Sequence, residues 1–301
     1  MQEGSRRAIY AALAANAGIA ISKLVGFALT GAASLAAEAV HSLADTTNQA
    51  LLLMGGRRSL RAEDEQHAFG HGRERYFWAF VVALVLFTLG GVFAIVEGVD
   101  KLRHPHAVDS IGIAVGILLV AMALETFSLV TAVREANPLR HGSSWWRFIR
   151  HSRNPELPIL LLEDTGAEVG LILALVGVVA SHLSGNARWD AVGSLGIGLL
   201  LVVIAVTLVV EMKSLLIGES ATGEDVQAMR AAIEGTPNVR TLIHMRTQHL
   251  GPDELLVGAK LEMEPTLTFV EVADTINAAE ARLRAAVPAA RVVYLEPDIA
   301  R

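Results

Sequence analysis

The chain has 301 residues, of which 52% are hydrophobic and only 19% charged, and its mean hydropathy is +0.45. Soluble domains carry about 25% charged residues, so the composition points to a membrane protein with little chain left for a large soluble core. A net charge of -6 without any basic block excludes nucleic acid as a partner. The absence of cysteine leaves imidazole and carboxylate as the donors for any metal.

The first residues, Met1 to Arg7, are short and polar, and the apolar run behind them has no cleavage signature, so no removable signal peptide is expected. Six apolar segments follow, at 8–29, 33–55, 76–99, 109–133, 157–183 and 189–212. Each can cross a hydrocarbon core of about 30 Å as a helix. Six crossings put both termini on one side. Arg6, Arg7, Arg57, Arg58, Arg61, Arg73, Arg75, Arg134, Arg140, Arg147, Arg150 and Arg153 flank one face, whereas Lys101, Arg103 and Arg188 flank the other. By the positive-inside rule both termini are cytoplasmic, and the compact chain suits a bacterial inner membrane.

Ionisable residues at bilayer depth are costly and need a compensating role. In the second segment His41 and Asp45 stand one helical turn apart, so an imidazole and a carboxylate share a face. The fifth segment carries Glu163, Asp164 and Glu168, and Asp164 and Glu168 share a face. Carboxylates so close repel and desolvate badly unless a cation or protons neutralise them. Lys23 of the first segment is the competing ion-pair partner. Glu38, Glu97, Glu125, Asn16, Asn48 and Gln49 are assigned to packing or helix–helix hydrogen bonds.

Between the second and third segments, Asp64, His67 and His71 are spaced to offer one carboxylate and two imidazoles to an ion. The glycines at 70 and 72 let the backbone fold the imidazoles together. The fourth-to-fifth connection, with His141, Trp145, Trp146 and His151, reads as an anchor at the lipid interface. Beyond residue 213 the pattern becomes helix 224–234, strand 238–248, a period-two strand from Leu255 to Met263, helix 269–286 and strand 291–295. That order predicts a small two-layer domain, with a boundary between residues 1–212 and 213–301. At under 90 residues such a domain is marginal alone, which favours dimerisation.

His41-x3-Asp45, His67-Ala68-Phe69-Gly70-His71-Gly72, Asp164 and Gly251-Pro252, in this order, resemble the cation diffusion facilitator family, the zinc transporter family of animals. The resemblance covers essentially the whole chain. It implies a six-helix transmembrane bundle (membrane all-α), a C-terminal α+β ferredoxin-like cytoplasmic domain, a homodimer, and export of a divalent metal in exchange for protons by alternating access. It implies a transport site of four ligands on the second and fifth helices, of which His41, Asp45 and Asp164 match three. The fourth position is Leu160, so Glu168, Glu163, Asn48 or a water completes the sphere, with Glu168 favoured. A sphere rich in carboxylate accepts manganese, cobalt, iron or cadmium beside zinc. The strand positions that hold tail metal in many relatives are Lys260, Tyr294 and Glu296 here, so the likeness stops short of that site. The competing readings are a membrane metal sensor or channel; no HExxH helix supports a hydrolase.

Overall fold

The computed structural model describes residues 3–30, 33–105 and 111–298. Two compact units divide the chain, one of Met1–Arg58 with Arg75–Lys213, the other of Ser59–Glu74 with Ser214–Arg301.

The first unit is helical. Helices α1 (Glu3–Thr30), α2 (Ala33–Arg58), α5 (Ile111–Leu139), α7 (Glu156–Ser184) and α8 (Arg188–Ile217) are joined by a sixth long helical run, Glu74–Arg103. Among the described residues, five of these, α2 excepted, contain a stretch apolar enough to cross a membrane. The exception has a local cause: Asp45, Thr46, Thr47, Asn48 and Gln49 interrupt α2, whose 26 residues are still ample for a crossing. The chain is thus a multi-pass integral membrane protein. α1 packs on α2 and α5, and α5 packs on α7.

The Glu74–Arg103 run is not uniform. α3 (Glu74–Val85) and α4 (Phe93–Arg103) are joined by a π-helical stretch, Leu86–Val92, which the apolar pattern did not disclose. Small residues there let the helices approach: a Cβ on Gly91 would stand 2.6 Å from Val202 Cγ2 of α8. The fourth-to-fifth connection also contains a short helix, α6 (Trp145–His151), started by Ser144 Oγ accepting from the Arg147 N–H. The Arg140 and Arg150 guanidiniums lie over the Trp145 and Trp146 rings.

The second unit holds α9 (Gly223–Glu234), β1 (Val239–Gly251), β2 (Glu254–Met263), α10 (Phe269–Ala286) and β3 (Ala290–Asp298). The sheet order is β1-β2-β3, with β1 and β2 antiparallel and β2 and β3 parallel. Alternate residues of β2 are buried, from Leu255 to Met263, because one pleat face meets the two helices through Met229, Ile233, Ala279 and Leu283. This is the small two-layer α+β domain expected from the period-two pattern, and the ferredoxin-like layer that the family resemblance implied. Lys260 on β2 pairs with Glu296 and Asp298 on β3, at 3.3 and 2.8 Å.

Candidate metal sites

Within the membrane unit, four helices, α1, α2, α5 and α7, bring polar side chains together. From α2, Asn48 Nδ2 donates to Glu163 Oε1 at 3.0 Å and Gln49 Nε2 to Glu163 Oε2 at 3.1 Å. Asn16 of α1 donates to Gln49 Oε1 at 3.2 Å, so a chain of amides holds Glu163 to the α1–α2 pair. Asp164, the next residue of α7, faces elsewhere: Ser128 Oγ of α5 donates to its Oδ2 at 2.7 Å. One turn on, Thr126 donates to Glu168 Oε1 at 3.2 Å, and the buried Glu168 Oε2 accepts from no described group. Lys23 Nζ donates to Ser42 Oγ at 3.1 Å.

Asp45 is half-buried and lies within electrostatic reach of both Glu163 and Asp164. His41 falls on α2 one turn before Asp45, and its side chain lies outside the described residues, as does that of Glu38. Leu160, one turn before Asp164, is buried and apolar. Among the described residues, Asp45, Asp164 and Glu168 do not bring three donor atoms within 4.8 Å of one another. Sequence reasoning missed Ser128 and Thr126, since a lone hydroxyl in an apolar run carries no local signal. Glu125, which it set aside as packing, shares its buried stripe on α5 with Ser128.

The loop site is tighter. Asp64 Oδ1 accepts the N–H groups of Gln66 at 2.9 Å and His67 at 2.7 Å. His67 Nδ1 stands 3.2 Å from Oδ1 and His71 Nε2 3.1 Å from Oδ2. The donor atoms of Asp64, His67 and His71 thus lie within 4.8 Å of one another. Hydrogen bonding, chiefly from the His67 N–H, holds the Asp64 carboxyl well below its ordinary 3.8, at about 2. Two imidazoles and one carboxylate fit a zinc-type ion and leave a fourth position open. The two glycines act differently. Gly70, at φ +71°, turns the backbone between the imidazoles, whereas Gly72 permits close approach to β1. A Cβ on Gly72 would meet the Leu250 carbonyl oxygen at 2.7 Å.

Residues 9–217 match the family model described as cation efflux transmembrane domain, and residues 221–298 that of the cation efflux protein cytoplasmic domain. Over 264 residues the chain is 31% identical to the human "Proton-coupled zinc antiporter SLC30A9, mitochondrial", covering 87% of this chain and 46% of that protein. It is 28% identical to "Metal tolerance protein C4" of Arabidopsis thaliana, covering 86% of this chain and 57% of that protein. "Cation-efflux pump FieF" of Klebsiella pneumoniae is 27% identical, covering 91% of this chain and 87% of that protein. The chain therefore spans about half the length of the first two relatives. Among solved structures, "MamM-CTD 215-293" aligns with 25% of this chain and 95% of its own at 17% identity and a TM-score of 0.24. With both family models matched in order along one chain, the protein belongs to the cation efflux family, a family of membrane transporters rather than enzymes.

Proposed function

We propose that this protein exports a divalent metal of the zinc type in exchange for protons, by alternating access, as a homodimer. The observation that carries the reading is the convergence of Asp45, Glu163, Asp164 and Glu168 between spanning helices, with neutral donors as their described hydrogen-bond partners at Glu163, Asp164 and Glu168. Buried carboxylates of this kind call for a cation or protons, and a site that alternates between the two is an exchanger. The names of the human and Klebsiella relatives, a proton-coupled zinc antiporter and a cation-efflux pump, agree.

In this reading His41, Asp45, Asp164 and Glu168 hold the cargo near the membrane midplane. His41 carries the returning proton, because an imidazole nitrogen cannot hold metal and proton together. Zinc is the leading cargo, with manganese, cobalt, iron and cadmium as candidates for a carboxylate-rich sphere. Asp64, His67 and His71 hold a second ion on the cytoplasmic side. Residues 1–212 form the transmembrane domain and 213–301 the cytoplasmic one, with both termini in the cytoplasm of a bacterium. The arginine asymmetry supports that orientation.

Metal uptake into proteoliposomes with a pH reporter inside tests the proposal. Wild-type protein should move protons only when a transported metal is present, and Asp45→Ala and Asp164→Ala should abolish the signal. Metal movement unaffected by collapse of the proton gradient would point to a channel, and no movement of any ion by folded protein would point to a sensor.

A further inference from the structure

Resting on the transport reading, the geometry points to a third wall for the intramembrane site. We propose that Glu125 of α5 supplies a further carboxylate to the cargo cation, making the site one of α2, α5 and α7.

The buried residues of α5 are Ala121, Glu125, Ser128, Ala132 and Ala136, a single stripe at helical spacing. Four of the five are small, as close helix packing requires, and α5 packs on α1 and α7. A glutamate in such a stripe has no packing rationale. Its side chain is nonetheless buried, at 6% exposure. Ser128, on the same face one turn along, fixes the direction of that face by donating to Asp164. The neighbouring Thr126 reaches Glu168. Glu125 accordingly lies within electrostatic reach of Asp164, Asp45 and Glu168, with Lys23 the cation in range.

An open acceptor lies beside Thr126, the neighbour of Glu125. Glu168 Oε2 is buried without a hydrogen-bond donor, although its partner oxygen has one. A buried acceptor left without a donor, beside the buried Glu125 and Asp164, is what a metal ion requires and what a packed interface avoids. A third helix also explains how the set can dispense with a ligand at Leu160. A sphere drawing on Asp45, Asp164, Glu168 and Glu125 beside one imidazole favours ions that prefer oxygen, so Glu125 biases the site toward manganese relative to zinc.

The test uses the full chain, purified and in proteoliposomes, with zinc and manganese as the probes. Glu125→Gln keeps the shape and removes the charge. The apparent KM for manganese should rise by about tenfold or more and that for zinc by less, changing the preference between them. Glu125→Asp should recover most of the manganese transport. A structural role would instead alter the melting of metal-free protein without changing the ratio of the two KM values. Titration of each metal onto detergent-solubilised protein gives an independent readout if Glu125→Gln transports poorly. Wild-type protein that binds metal without transporting it would sink the exporter reading and leave the titration to decide on Glu125. Transport by wild type, with Glu125→Gln matching it in both KM values and both titrations, would overturn the assignment of Glu125 alone.

Discussion

Glu163 and Asp164 are adjacent in sequence and held by different helices, and the difference separates scaffold from site. Each Glu163 oxygen has an amide donor from α2, whereas Asp164 has one hydroxyl from α5. Gln49→Leu would leave Glu163 Oε2 without its donor, a loss of about 1–3 kcal/mol for a buried acceptor, and should lower the melting temperature. It should change the metal KM little, whereas Asp164→Asn should abolish transport at nearly unchanged melting; equal effects of both on KM would remove the distinction. At Asp64 the acid response is set by the lowered carboxyl value. A group whose folded value lies below its unfolded one stabilises the fold above its ordinary value of 3.8, and the contribution is lost as pH falls through about 2. Amide protection of Gln66 and His67 should therefore persist at pH 5 and fade between about pH 4 and 2. Loss already at pH 5 would contradict the assignment. The carboxylates themselves were legible in the sequence as charges at bilayer depth. Their partners were not, because Ser128 meets Asp164 across 36 positions and Asn48 meets Glu163 across 115, and no local pattern encodes such pairs.

At the scale of elements, legibility followed periodicity. The tail helix 269–286 coincides with α10, because Thr268 and Glu271 form a capping box: Thr268 Oγ1 accepts from the Glu271 N–H and Glu271 Oε2 from the Thr268 N–H. Thr268→Ala should cost about 1 kcal/mol of tail stability, read from denaturant unfolding. No change would mean that Glu271 and packing alone start the helix. The π-helical stretch and α6 escaped notice because an apolar run reads alike in α and π geometry, and seven residues are too few for a period. The role of Gly72 escaped too, since close approach to β1 is a property of the fold. Gly72→Val would drive a side chain into the Leu250–Gly251 backbone, and should push the loop off β1 and weaken metal binding by Asp64, His67 and His71. Mutant protein with wild-type metal affinity at the loop would show that the contact is dispensable.

For the whole molecule, the order of long helices and then a small α+β layer follows from the apolar pattern along the sequence, because membrane crossing imposes long apolar runs and two-layer packing a short period on the chain. The grouping of Ser59–Glu74 with Ser214–Arg301 does not, since it depends on contacts between residues far apart in sequence. What the tail leaves exposed bears on assembly. A domain of this size buries too little apolar surface to be robust alone, yet it presents Phe269 at 87% exposure and Val270 at 68% side by side at the start of α10. Adjacent apolar side chains so exposed are more costly to a free domain than to an assembled one. If a second copy covers them, replacing both with serine should shift the monomer–dimer balance toward monomer on dilution, measured by light scattering in detergent. The capping box and the core of the tail should remain intact, so the tail's far-ultraviolet signal would not change. A variant that stays dimeric over the same dilution range would move the interface away from α10 and leave the transmembrane helices as the surface that joins the two copies.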